Sequence, residues 1–103
     1  MATLVVMYKT PKDPAAFDKY YAGTHIAIAK KIPGLRRYEI SRGPVATPAG
    51  PSSDLHLVAT LSFDSMAAIQ SALGSAEGQA AAADVQTFAT GGADMLMFDS
   101  ATV

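Results

Sequence analysis

Phe17-Asp18-Lys19-Tyr20-Tyr21-Ala22-Gly23-Thr24-His25-Ile26, closed a few residues later by Lys31-Ile32-Pro33-Gly34-Leu35, is the stretch on which the reading of this chain turns. Asp13 has the side chain of an N-cap, and Pro14 suits the first helical position. From there Phe17, Tyr21, Thr24, Ile28 and Ile32 recur at intervals of three or four, which predicts one apolar helical face. His25 lies four residues after Tyr21, at the edge of that face. Gly23 costs roughly 1 kcal/mol against alanine inside a helix, so a kink or a close packing contact is expected there. Pro33-Gly34 ends the helix.

Working outward, Thr3 to Tyr8 reads as a strand whose two alternating sets, Leu4/Val6/Tyr8 and Val5/Met7, are both apolar and therefore covered on both faces. Leu35 to Arg42 reads as a more polar strand. Gly43 to Ser53 holds three prolines and two glycines, and reads as a mobile loop within one domain. Leu55 to Phe63 alternates, with Leu55, Leu57, Ala59, Leu61 and Phe63 on one side and His56, Val58, Thr60 and Ser62 on the other. Asp64 or Ser65 can cap a short helix carrying Met66, Ile69 and Leu73 inward, which Gly74 breaks. Ala76 to Phe88 forms a second helical piece, Gly91-Gly92 turns the chain, and Asp94 to Asp99 is the last strand.

The order is β-α-β-β-α-α-β, an α+β split βαβ or ferredoxin-like pattern over residues 1–103 as a single domain. All helices are expected on one face of a four-stranded antiparallel sheet. The other face is left largely apolar, and a homodimer that closes two sheets into a dimeric α/β barrel would bury it.

Composition narrows the function classes. Half of the 103 residues are apolar, 17% are charged, and the net charge is -1. There is no basic stripe for nucleic acid. Cysteine is absent, which removes disulfides, thiolate catalysis and cysteine metal sites. The first nine residues read as a strand rather than a signal peptide. No apolar run approaches the ~20 residues of a membrane span. The expectation is a soluble, cytoplasmic protein.

Taken together, Tyr8-Lys9-x-Pro11-x-Asp13, Phe17-Asp18-x-Tyr20-Tyr21-x-x-Thr24-His25-Ile26, Lys31-Ile32-Pro33-Gly34-Leu35, Ala59-Thr60-Leu61-Ser62-Phe63-Asp64-Ser65 and the Ala76-x-Gly78 to Gly91-Gly92 region resemble the EthD family of small dimeric α/β-barrel proteins. Ala27 stands where members of that family often carry proline. The resemblance implies a homodimer with a pocket between sheet and helices. The family takes its name from a bacterial gene cluster for ethyl tert-butyl ether degradation. Its wider superfamily spans muconolactone-type isomerases, cofactor-free monooxygenases and polyketide-pathway enzymes, so the resemblance implies architecture far more than reaction.

His25 is the candidate general acid/base, alternatively a core histidine. Tyr21 is its candidate support, with Tyr20 and Tyr8 as further hydroxyls. Tyr8, Phe17, Thr24, Ile28, His56 and Met97 are the candidate substrate-binding side chains. His56 either lines the cavity from the sheet side or sits exposed at a dimer edge. Arg36, Arg37 and Arg42 read as surface ion pairs rather than an anion site. Two histidines without an acidic neighbour at ligand spacing make no metal site, and a lone helical histidine makes a weak haem site. Phosphate loops, nucleophile elbows and dinucleotide fingerprints are absent, so no cofactor is expected. Three readings remain. One is binding of a small apolar oxygenated molecule in a catabolic setting, with cofactor-independent proton transfer through His25. Another is a non-catalytic carrier or accessory dimer for a partner oxygenase. The third is a purely structural dimer, which a dry, filled interior would support.

Overall fold

The computed structural model describes residues 1–103. Its strands are β1 (Ala2–Lys9), β2 (Arg37–Ile40), β3 (Ala46–Thr47), β4 (Gly50–Pro51), β5 (Leu55–Phe63) and β6 (Ala93–Asp99). Its helices are α1 (Pro14–Tyr20), α2 (Ile26–Ala29), α3 (Met66–Gly74) and α4 (Ala76–Phe88), with a π turn over Tyr21–His25 joining the first two. The main sheet has the order β2-β5-β1-β6, and each neighbouring pair is antiparallel. This is the expected α+β ferredoxin-like arrangement. No helix is long and apolar enough to cross a membrane.

Caps follow side-chain chemistry. Asp13 accepts from the Ala16 N–H, Ser65 from Ala68 and Ser75 from Gly78, so each helix start has one orphan donor satisfied. Ser65 rather than Asp64 is the cap, because Asp64 is engaged by the Arg36 guanidinium, whose Nη2 lies 2.8 Å from the carboxylate. Two expectations were too coarse. The polar strand is shorter than Leu35 to Arg42, and the proline-rich loop contains the small β3–β4 hairpin.

The first helix is not continuous. The Ile26 N–H donates to the Tyr21 carbonyl, five residues back, and the helix widens by one residue there. A side chain at Gly23 would meet nothing within 4 Å, so close packing does not explain that glycine; the kink is the π turn itself. The wide turn has a consequence for the inward face. In a regular helix, residues spaced by four drift off a line, and Thr24 and Ile28 would take the inner positions. With the π turn, Phe17, Tyr21, His25, Ala29 and Ile32 are the buried set. Thr24 is exposed and Ile28 is half-buried.

The core lies between sheet and helices. Ala2, Leu4, Val6 and Tyr8 of β1 and Leu57, Ala59, Leu61 and Phe63 of β5 face it. α4 meets them with Ala81, Val85 and Phe88. The buried Gly78 permits the α3–α4 turn: a Cβ there would lie 2.0 Å from the Ala72 carbonyl oxygen. Tyr8, Phe17, Tyr21 and Phe88 form a continuous aromatic cluster with centroid distances of 5.2 to 5.7 Å. Such pairs are worth about 0.5–1.5 kcal/mol each beyond their buried area.

The opposite sheet face carries Val5, Met7, Val58, Leu96 and Phe98 without helical cover, and Leu96 and Phe98 are 46% and 44% exposed. Edge strand β6 is covered in part on its helix-facing side, where Ala93 packs against the core. Met97, opposite Leu4, is exposed there.

Candidate functional site

His25 enters the core because the π turn rotates it inward, and it is 4% exposed. Its Nδ1–H donates to Asp84 Oδ2 at 2.9 Å. The carboxylate can only accept, so this bond places a proton on Nδ1, and in the neutral ring Nε2 is then the lone-pair nitrogen. Asp84, on α4, is held on its other side. The Tyr20 hydroxyl donates to Oδ1 at 2.6 Å. Tyr20 also packs on Phe88, whose ring lies 4.7 Å from that of His25. The three residues therefore form a chain from Tyr20 through Asp84 to His25, with Phe88 setting the ring plane.

Nε2 has no hydrogen-bond partner within the protein. His25 lines a cavity of about 50 Å³ bounded by Leu4, Val6, Ala59, Leu61, Ala81 and Val85, among other apolar groups. The polar side chains around it are His25, Tyr8, Tyr21 and Tyr38. No carboxylate, ammonium or guanidinium reaches this space. The Tyr21 and Tyr38 hydroxyls are 2.5 Å apart and share one hydrogen bond.

Burial pushes the Tyr8 hydroxyl far above the ordinary tyrosine range, with the neighbouring Tyr38 adding to it. Burial does the same for Tyr21, reinforced by its bond to Tyr38. The Tyr38 hydroxyl is also raised by burial. All three remain neutral O–H donors at physiological pH. The Tyr20 hydroxyl is raised chiefly by its bond to Asp84.

Asp84 has a second exposure. Its carboxyl group lines an outer groove of about 550 Å³ between α2 and α4, together with Ile28, Lys31, Glu77 and Thr87. The pair thus borders an apolar cavity through His25 and an outer groove through Asp84.

The expected site residues separate into two groups. Tyr8, Tyr21 and His25 come together around the cavity. Phe17 supports them from behind, stacked on Tyr21 and edge-on to Tyr8. The other four lie elsewhere. Thr24 is on the surface, because the π turn gives its inward place to His25. Ile28 faces the outer groove for the same reason. Met97 is exposed and does not line the cavity; Met95, two residues earlier on β6, lines it instead.

His56 does not follow the alternation of β5. Tyr8 pairs with Leu57 and Lys9 with Leu55, so His56 is the extra residue of a β-bulge. The bulge turns its ring onto the edge of Phe17, 5.0 Å away, and its Nε2–H donates to Asp18 Oδ1 at 2.7 Å. His56 lines a separate groove with Thr10, Ser41 and Ser52. No three histidine or acidic side chains gather as a metal-binding group.

Asp84 and Tyr38 were missed in the sequence. Asp84 is the lone charge in Ala80-Ala81-Ala82-Ala83-Asp84-Val85, one turn before Phe88, and a single carboxylate at the edge of an apolar helix face is a readable signal. Tyr38 sits at the inward position of a strand otherwise read as polar.

A model of the EthD domain matches residues 9–92. An uncharacterized 11.0 kDa protein in the thcB-thcC intergenic region of Rhodococcus erythropolis is 39% identical over 103 residues, covering 100% of this chain and 98% of that protein. The crystal structure of an EthD-family protein from Bacillus halodurans is similar with a TM-score of 0.88 at 32% identity, covering 98% of this chain and 99% of that one. A variant of SnoaB, a cofactor-independent oxygenase from Streptomyces nogalater, shares the fold with a TM-score of 0.66 at 20% identity, over 99% and 94% of the two chains. From the domain match and from these likenesses over nearly its whole length, the chain belongs to the EthD family.

Proposed function

We propose that this protein binds a small, apolar, oxygen-bearing molecule beside His25 and transfers a proton on it without a cofactor. The observation that carries the reading is a histidine 4% exposed whose Nδ1 is tied to a carboxylate, whose Nε2 has no partner in the protein, and whose side chain borders an apolar cavity. Nε2 takes a proton from the ligand; the imidazolium that results is stabilised by Asp84, itself oriented by Tyr20. In a site with low dielectric this pairing counts for far more than in water. Tyr21 and Tyr38 supply hydroxyl donors for the ligand's oxygen. The degradative setting in the family's name, and the cofactor-independent oxygenase activity in SnoaB's, are in keeping with a small oxygenated metabolite.

The functional unit is proposed to be a homodimer. Val5, Met7, Leu96 and Phe98 form an apolar sheet face without cover, and a second copy of that face would bury it. Sedimentation at micromolar concentration is expected to show dimers, and Leu96→Asp to shift them to monomers. A wild-type monomer would refute this assembly.

The test of the site is a structure, with native mass spectrometry, of protein purified from its natural host. A small molecule against His25 is expected, and its conversion should vanish in His25→Ala. Turnover that survives this substitution overturns the role of His25. A ligand that binds saturably and leaves unaltered would make the protein a carrier, as for a partner oxygenase, in place of an enzyme.

A further inference from the structure

Resting on the reading of His25 as a base, we infer that the ligand is a small neutral carbonyl compound with a hydrogen on its α-carbon, and that the proton moved is that α-hydrogen. Three features of the cavity lead here. Its wall carries no carboxylate, ammonium or guanidinium, so beside a neutral His25 a carboxylate or ammonium ligand would be buried without a counter-charge at a cost of several kcal/mol. It is also small. A cavity of about 150 Å³ takes benzene, and this one measures about 50 Å³, with the exposed Ala82 and half-exposed Met95 on its rim.

The third feature is the phenol set. A base alone suffices to deprotonate an alcohol or phenol, where charge develops on the atom that loses the proton. Abstraction from carbon differs: the charge appears on a carbonyl oxygen two atoms away, and a separate donor must meet it. The Tyr21 and Tyr38 hydroxyls share one hydrogen bond, so one of their two hydrogens is unspent, and Tyr8 adds another hydroxyl beside Tyr21. Their neutral, buried state makes them donors in the sense in which a tyrosine in an apolar site stabilises an enolate.

The step balances without an oxidant or reductant. Nε2 takes the α-hydrogen as a proton, and the C–H pair becomes the C=C of the enolate. The carbonyl π pair moves onto oxygen, where the phenol O–H receives it. Return of the proton from Nε2 to carbon restores both partners. Asp84 holds the Nδ1 proton, while Nε2, which has no partner in the protein and is not sealed from solvent, can exchange the abstracted proton before it returns.

The experiment is hydrogen–deuterium exchange of acetone and 2-butanone in D2O, followed by NMR with wild-type protein, Tyr21→Phe and Tyr38→Phe. The His25 ring resonances serve as the binding readout. Wild type should exchange the α-hydrogens faster than buffer and saturably. Loss of one oxyanion donor should slow exchange by about 10²-fold, with the ketone-induced shift of the His25 signals retained. Exchange in both phenylalanine variants equal to wild type overturns the inference. Ketone binding without any α-exchange also overturns it, and leaves the binding reading standing. If His25 responds to neither ketone nor to diethyl ether, the reading of the cavity as a ligand site fails first.

Discussion

The chain contains two histidines, and each is bonded to an aspartate across the fold, yet the two pairs are different objects. His25 and Asp84 are 2.9 Å apart with side chains 5% and 11% exposed; His56 and Asp18 are 2.7 Å apart at 22% and 63%. The inner pair has a third member, Tyr20, and an apolar cavity on the far side of the imidazole. The outer pair braces the β5 bulge against α1 at the rim of a polar groove. Distance and residue type are nearly the same. What differs is the medium, and the medium sets both the energetic weight of the pair and its chemical use.

The largest effect expected from this contrast is alkaline. Tyr8, Tyr21 and Tyr38, around the inner pair, have hydroxyls raised by burial, while in the unfolded chain they ionise near pH ~10. The unfolded state therefore releases protons first. The stability these phenols contribute is full below about pH 10 and is lost as pH rises above it. In a Tyr20→Phe background, which removes the one tyrosine outside the buried set, tyrosinate absorbance should appear only together with unfolding; a native protein showing tyrosinate absorbance near the ordinary tyrosine pH there would break the account of a dry inner site.

Next is Asp84→Ala. It strips the acceptor from both a buried imidazole and the Tyr20 hydroxyl, and should cost about 3 kcal/mol in urea unfolding. Tyr20→Phe should cost less, since the His25 bond persists, while weakening the hold on the carboxylate. At the rim, Asp18→Asn should cost about 0.5 kcal/mol, and the difference should shrink in added salt. Equal losses for Asp84→Ala and Asp18→Asn would erase the distinction between the pairs.

The smallest effect belongs to the exposed Arg36–Asp64 pair. The guanidinium holds the Asp64 carboxyl below its usual range. Its contribution is present above about pH 4 and is lost as pH falls through the lowered value. Asp64→Asn should remove that part of the acid dependence and leave neutral stability nearly unchanged, as thermal unfolding across pH would record.

By itself, the order of residues determined the main element types and their succession, the cap at Asp13, the apolar second sheet face, and His25 as the residue to watch, while the choice of Ser65 over Asp64 as a cap came with the Arg36–Asp64 contact. These depend on local propensity, side-chain period and capping chemistry, all of which act within a few residues. Tertiary structure decided everything that depends on a count of residues per turn or on pairing across the chain. A π turn, which no hydrophobic period announces, moved the inner position from Thr24 to His25 and sent Ile28 outward. A one-residue bulge between β1 and β5 turned His56 toward α1. Asp84 reached His25 from 59 residues away, and Tyr38 reached Tyr21 from 17 away, because sheet order and helix packing juxtaposed them. The His25–Asp84 pair is a meeting of distant residues, and the energy that brings them together is spread over the whole core.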